Sequence, residues 1–82
     1  MSDERKMTYG EKAVGLAFNP SGDSEVDKVK KLFAEVIDLC WEGMRKGGGA
    51  YADLTKSSLY REAIAHAMTA QMWAVKAITF KE

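Results

Sequence analysis

Hydrophobic positions recur at helical spacing over the first long stretch of the chain. Between residues 24 and 46 the apolar side chains fall three and four positions apart, which places them on one face of a helix. They are Val26, Val29, Phe33, Val36, Ile37, Cys40 and Met44. Asp23 or Ser24 is suited to the N-cap, while Arg45 and Lys46 suit the negative end of the helix dipole. The pattern predicts a first long helix over 24–46 with one buried face.

A second stretch, from 57 to 81, is apolar on most sides when it is wound as a helix. Ser57 or Ser58 is the expected N-cap. Two stripes are suited to burial, one of alanines (Ala63, Ala67, Ala70, Ala74 and Ala77) and one of larger side chains (Ile64, Met68, Met72 and Val75). A third stripe is mixed and contains His66, Thr69, Trp73, Lys76 and Phe80. One partner helix cannot cover both apolar stripes, so we expect other copies of the chain to cover the remainder.

Polar and turn-forming segments separate these stretches. Residues 1–8 are mostly polar and predict a short helix or an arm. Residues 19–22 read Asn-Pro-Ser-Gly and predict a turn, because proline fixes φ and glycine permits positive φ. We expect 14–18, which precede this turn, to be extended. The three glycines at 47–49 predict the end of the first helix, and residues 50–56 are expected to connect it to the second.

The predicted fold is all-α, with an N-terminal arm or short helix and two long antiparallel helices that form a helical hairpin. Residues 1–82 are expected to form one domain, with the arm and turn over 1–23 and the long helices over 24–46 and 57–81. A hairpin within 82 residues builds only a small core. We therefore expect a symmetric homo-oligomer.

The composition argues against several classes of protein. Twelve basic and twelve acidic residues give a net charge of zero, without the basic excess of nonspecific nucleic-acid binders. We expect no DNA partner. The apolar part of the second helix is shorter than the roughly 20 residues that cross a bilayer, and no secretion signal opens the chain. The expectation is a cytoplasmic protein without a membrane partner.

Few residues are able to carry catalysis. His66 is the only histidine, and Glu62 and Thr69 at helical spacing from it include no activated nucleophile, which favours a hydrogen-bonded histidine at a helix interface. Cys40 lies among apolar positions and is expected to be a small buried side chain. No Cys/His cluster has the spacing of a zinc site. We expect no catalytic residue, no metal site and no cofactor.

Two features are candidate anion sites. Three lysines lie on one flank of the first helix. They form either a solvated face or, together with the same lysines of other copies around a symmetry axis, an anion site. They are Lys28, Lys30 and Lys31. Backbone amides at residues 21–23 stand at a helix N-terminus and suit an anion. Tyr9 and Phe18 either stack on a base or cover the ends of the helices.

Several segments of the sequence, taken together, match the sequence pattern of a known protein family. They are Tyr9-Gly10, the run from Val14 to Asp23 that contains Phe-Asn-Pro-Ser-Gly, then Val26, Arg61 and the run from Met72 to Ile78. Over most of its length the chain thereby resembles the phage family of anti-CBASS sponges. The related anti-Thoeris sponges, which bind cyclic ADP-ribose isomers, share the same helical hairpin domain.

The resemblance implies a homohexamer that sequesters cyclic di- and trinucleotide messengers of bacterial CBASS-type defence without cleaving them, in the cytoplasm of the infected host. The ligand-binding residues that it implies are Tyr9, Gly10, Phe18, Asn19, Pro20, Ser21, Gly22, Lys28 and Arg61. Tyr9 matches an aromatic residue that lies on a base, and Arg61 matches an arginine that binds phosphate. Residue 24 or 25 stands where the family has a lysine, so Lys28 is the candidate for that role.

Three other functions stay open. An oligomeric hairpin of this kind can bind a host protein, and a sponge can be specific for cyclic ADP-ribose isomers. A phosphodiesterase acting on the same messengers is disfavoured, because the sequence offers neither metal ligands nor an acid and base pair.

Overall fold

A computed structural model describes residues 6–46 and 54–81. Three helices occur in this part of the chain: α1 over Tyr9–Val14, α2 over Ser24–Lys46 and α3 over Leu54–Thr79. The described residues contain no strand. The all-α prediction is confirmed, and α2 and α3 pack against each other along their lengths. Residues 47–53, which include the three glycines and the first part of the predicted connection, lie outside the described residues. Residues 54–56 belong to α3 and not to a connection.

The bounds predicted for the first long helix are confirmed. Asp23 caps α2, since its Oδ1 accepts a hydrogen bond from the backbone N–H of Glu25 at 2.8 Å. Its carbonyl accepts the N–H of Val26 at 3.1 Å, which begins the helical ladder. Two acidic residues in the first turn and two basic residues in the last complement the helix dipole. Sequence-local signals therefore suffice to define this helix.

The second long helix is longer at its start than predicted. It begins at Leu54 rather than 57 and ends at Thr79 rather than 81. Ser57 and Ser58 thus lie inside the helix and are not its N-cap. Residues 54–56 contain no glycine or proline, and leucine and lysine are good helix formers, so nothing stops the helix at the serines.

The prediction that 14–18 are extended is wrong. Val14 ends α1, and Gly15 adopts the left-handed conformation (φ 65°, ψ 50°) that closes a helix at its C-terminus. The Phe18 N–H then donates to the Gly15 carbonyl at 2.9 Å, which makes a turn. At the other end, Thr8 and Glu11 form a reciprocal capping box. The six-residue α1 is therefore defined at both ends by its own sequence.

Helix α1 packs closely on α2 and runs antiparallel to it. The Gly10 N–H donates to Asp38 Oδ1 at 2.7 Å, and a Cβ placed on Gly10 would lie 2.2 Å from the Ala34 carbonyl oxygen. The rings of Tyr9 and Trp41 stack with centroids 4.2 Å apart and planes at 10°. Only glycine permits this approach of the two backbones.

The buried core is small and lies where the three helices meet. Its buried members are Val14, Ala34, Ile37, Ile64 and Ala67, and partly buried side chains such as Phe33, Trp41 and Met68 pack around them. Cys40 is partly buried there, as a small apolar side chain. Val36 was expected on the buried face of α2 but is 48% exposed, because Lys30 and Ala34 occupy that face instead.

Helix α3 buries one stripe, which combines members of both predicted apolar stripes. Ile64, Ala67 and Gln71 are its buried residues. Met72 and the alanines at 63, 70 and 77 are exposed in the single chain. Within the single chain, the outer face of α3 is therefore without cover.

Near the end of α2 and the start of α3, a glycine brings the two helices together. A Cβ placed on Gly43 would lie 2.5 Å from Cζ of Tyr60. The Tyr60 ring therefore fills the space that a side chain at residue 43 would take. None of the described helices combines the length and apolar character needed to cross a membrane.

We predict that Gly10→Ala lowers the free energy of unfolding by about 2 kcal/mol, because the added methyl group meets backbone atoms that cannot move aside. Urea denaturation followed by circular dichroism measures this change. Lys12→Ala on the exposed side of α1 is the control and should stay within about 0.5 kcal/mol of the unchanged protein. Equal midpoints for the two variants would contradict the close packing of α1.

Candidate ligand-binding pocket

A pocket of about 240 Å³ lies at the end of the hairpin where α2 begins and α3 ends. Eight residues line it: Phe18, Asn19, Pro20 and Ser21 from the turn before α2, Val26 and Lys30 from α2, and Val75 and Thr79 from α3. Four of the nine residues predicted to bind ligand are therefore adjacent in the fold. They form the outer wall of one pocket.

Asn19 organises the turn that forms this wall. Its Nδ2 donates to the Asp23 carbonyl at 2.9 Å and to Asp27 Oδ1 at 3.1 Å. Its Oδ1 accepts from Ser21 Oγ at 2.7 Å and from the Gly22 N–H at 3.2 Å. One amide thus makes four hydrogen bonds across the turn and the first turn of α2. The wall is preorganised rather than a loose loop.

Lys30 is the cation of the pocket, and its side chain is only 6% exposed. Its Nζ donates to the Gly15 carbonyl at 2.9 Å and to the Phe18 carbonyl. The same ammonium lies 5.7 Å from the centroid of the Phe18 ring. The interpretation of the three lysines as a solvated face is therefore wrong for Lys30. The turn carbonyls replace water around its charge.

The chemistry of the pocket suits a ligand with a flat ring and a negative charge. Phe18 is 70% exposed and offers a ring face to a partner. Val26 and Val75 supply apolar surface. Ser21 and Thr79 also line the pocket, and their hydroxyl groups donate to Asn19 Oδ1 and to the Val75 carbonyl. Stacking on an aromatic side chain is tolerant of base identity, and an ammonium is a donor for phosphate oxygens. This combination is suited to a ligand that carries both groups.

Three of the predicted site residues lie at the opposite end of the hairpin. Tyr9 stacks on Trp41, and Gly10 packs on α2 beside Ala34. Arg61 is exposed in the early part of α3, next to the level of Gly43. Trp41 is eleven positions along α2 from Lys30, which corresponds to roughly 16 Å of helix. Within one chain the structure does not bring these residues to the pocket.

Lys28 faces a different groove from the turn residues. That groove has a volume of about 450 Å³ and runs between α2 and α3. Its lining residues are Glu25, Lys28, Val29, Leu32, Ala74, Ala77 and Ile78. Gly22 belongs to the turn but does not line the pocket. Lys28, which the sequence suggested for the role of the family's lysine, is thus separated from the turn by the body of α2.

Lys30 was predicted only as one of three lysines of a candidate anion site, and Val26, Val75 and Thr79 were not predicted as site residues. A signal for Lys30 was present, because it stands four residues after Val26 and four before Ala34, in register with the buried face of α2. No comparable signal exists for Thr79, whose position opposite the turn depends on how α3 packs.

The only histidine does not lie in the pocket. His66 is exposed on α3, and its Nε2 is 3.4 Å from Glu62 Oε1. Residues 6–46 and 54–81 contain no group of three or more His, Cys, Asp or Glu side chains able to hold a metal ion. Comparisons with protein-family models, with curated proteins and with solved structures give no match.

Asn19→Ala is predicted to lower the free energy of unfolding by about 2 kcal/mol, because several hydrogen bonds of the turn are lost together. Thermal unfolding followed by circular dichroism reports this loss. Ser24→Ala serves as the control, since the Ser24 side chain makes no hydrogen bond in the described residues. A melting temperature unchanged in both variants would show that the amide does not organise the turn.

Proposed function

We propose that this chain is a phage anti-immune protein that binds and sequesters cyclic di- and trinucleotide messengers of CBASS-type defence without cleaving them. It acts in the cytoplasm of the infected bacterium, where it lowers the free concentration of the messenger. The observation that carries the proposal is the pocket in which an exposed Phe18 ring adjoins the buried Lys30 ammonium. A ring face and a cation are the two groups that a nucleotide needs from its binding site.

The size of the pocket supports a site shared between copies. At about 240 Å³ it is smaller than the roughly 300–1,000 Å³ typical of pockets that enclose a whole small ligand. A cyclic dinucleotide has two similar halves, so two pockets related by a two-fold axis would each take one half. Tyr9 and Arg61, which lie far from the pocket in their own chain, are then available to a neighbouring copy.

Exposed apolar side chains support the association that this arrangement needs. On α2 they are Leu32, Val36 and Leu39, and on α3 they include Leu54, Leu59, Met72 and Trp73. Leu32, Val36 and Leu39 follow the i, i+4, i+7 spacing of one helix face. Such a surface on a chain of 82 residues is typical of an interface. We propose a homohexamer, the number that the resemblance implies.

We predict that the purified protein, incubated with a mixture of cyclic di- and trinucleotides and cyclic ADP-ribose isomers, retains one or more of them through buffer exchange. Denaturing the protein and identifying the released molecules by mass spectrometry gives the result. Intact cyclic molecules support a sponge and name its cargo. Linear products indicate a phosphodiesterase, and an empty fraction contradicts the proposal.

A matched pair of variants tests the pocket in the same experiment. Phe18→Ala removes the exposed ring and should weaken binding about fivefold to 150-fold, given about 1–3 kcal/mol for stacking on one base. Phe80→Ala removes a ring of similar exposure outside the pocket and should bind as the unchanged protein does. Equal affinities for the two variants would place the ligand elsewhere.

A further prediction concerns assembly. Light scattering after size exclusion should give a mass that is a multiple of the 9.1 kDa chain. Leu39→Glu places a carboxylate at a side chain that is 74% exposed in the single chain and should reduce that mass. Ser58→Glu, a carboxylate at a polar exposed position, should leave it unchanged. A monomer mass for the unchanged protein would contradict self-association.

The second candidate function is binding to a host protein. It is favoured by the same exposed apolar side chains on α2 and α3, which suit any apolar partner. The two functions differ in what the pocket does, since a host-protein binder does not require the Phe18 ring. An empty fraction in the release experiment, with the assembly retained, would favour this alternative.

A further inference from the structure

We infer that α2 is a pairing surface between two copies of this chain, which pack their α2 helices antiparallel in a single register. The inference rests on the self-association in the proposed function and deepens it, but it does not depend on the identity of the ligand. It assigns an occupant, α2 of a second copy, to the groove between α2 and α3. That groove is separate from the candidate ligand-binding pocket, because no described residue lines both.

A stripe of side chains recurs every seven residues along α2. Its members are Glu25, Leu32, Leu39 and Lys46, and all four are exposed in the single chain. Val36 extends the stripe between the two leucines and is also exposed. Seven residues make nearly two turns of helix, so the stripe stays on one face. A seven-residue repeat of this kind is typical of a helix that packs lengthwise against another helix.

The two ends of this stripe carry opposite charges. Glu25 lies in the first turn of α2 and Lys46 in the last, with the leucines between them. In an antiparallel pair Glu25 of each copy lies opposite Lys46 of the other, and Leu32 lies opposite Leu39. A parallel pair would place like charges together at both ends. Complementing the helix dipole requires charges near the helix ends, but not on the same face as the leucines, and pairing explains why they share that face.

The groove beside the stripe has room for an apolar side chain of the second copy. It has a volume of about 450 Å³, and five of its seven lining residues are apolar. Leu32 is one of them, and Ala74 and Ala77 have short side chains that allow a second helix to approach. In the antiparallel register Leu39 of the second copy lies opposite Leu32, at this groove. A two-fold axis repeats the contact, so each copy covers the exposed Leu39 of the other.

The pairing leaves the candidate ligand-binding pocket uncovered. Val26 and Lys30, which line that pocket from α2, are buried, whereas the leucines of the stripe are exposed. Lys30 and Leu32 are two residues apart, which corresponds to roughly 200° around a helix. The pocket and the stripe thus lie on opposite faces of α2. Pairing through α2 is therefore additional to any contact that shares a pocket between copies.

Charge reversal at the ends of the stripe tests the inference. Glu25→Lys or Lys46→Glu alone brings like charges together at both ends of the antiparallel pair. Each should raise the concentration at which the assembly dissociates about tenfold at low salt. The double variant, Glu25→Lys with Lys46→Glu, restores opposite charges and should assemble as the unchanged protein does. Lys31→Glu, at an exposed position of α2 outside the stripe, is the matched control. Sedimentation velocity over a range of protein concentrations gives the masses.

The double variant also separates pairing from the stability of the helix. Both of its new charges oppose the helix dipole, so a weakened α2 would make it the poorest of the three variants in assembly. Circular dichroism checks that each variant keeps its helix content. Assembly that is lost in both single variants and is not regained in the double variant overturns the pairing.

The outcomes separate this inference from the proposed function. If the unchanged protein assembles and the single variants assemble equally well, the antiparallel pairing is overturned while self-association and the sponge stand. A single-chain mass for the unchanged protein overturns the pairing and self-association together. If the charge variants behave as expected but no cyclic nucleotide is retained in the release experiment, the pairing stands and the sponge is overturned.

Discussion

The close approach of α1 to α2 is the contact on which the rest of the described structure depends. Gly10 lies against the Ala34 carbonyl and donates its N–H to Asp38, so two backbones meet without a side chain between them. This contact sets the register of α1, which in turn places Gly15 and Phe18 over Lys30. The pocket wall is therefore located by packing some distance away from it. Without α1 in this position, the Lys30 ammonium would have no carbonyl ligands and would not stay buried.

Much of the fold could be predicted from the sequence, because its signals are local. Asp23 marks the start of α2 and two basic residues mark its C-terminal end, and the predicted bounds of this helix were correct. The short α1 also has local signals, the Thr8 and Glu11 capping box and the Gly15 terminator, although the expectation of an extended segment overlooked them. The errors in the fold prediction came from weighting proline and glycine at 20 and 22 above the cap residues that precede them.

The candidate site could be predicted only in part. There is a physical reason why some of its residues could be predicted and others could not. The turn residues are consecutive in the chain, so their proximity follows from sequence. Lys30 is buried because carbonyls from a distant segment solvate its charge, and lysine is ordinarily an exposed residue. Tyr9 and Arg61 lie at the far end of the hairpin because of the register of α1 on α2 and of α3 on α2. Register is a property of packing, and a resemblance in sequence motifs does not reveal it.

The packing of α2 on α3 at Gly43 affects the other end of the hairpin, where the pocket lies. The two long helices touch closely where Gly43 meets the Tyr60 ring, and the pocket lies near the opposite ends of the same two helices. Helices are stiff rods, so a change in spacing at one end changes the angle between them and is amplified with distance. The spacing of the two helices at Gly43 thus contributes to the width of the pocket at their other ends. A substitution at this glycine that moved the two helices apart would change the shape of the pocket without altering any residue that lines it.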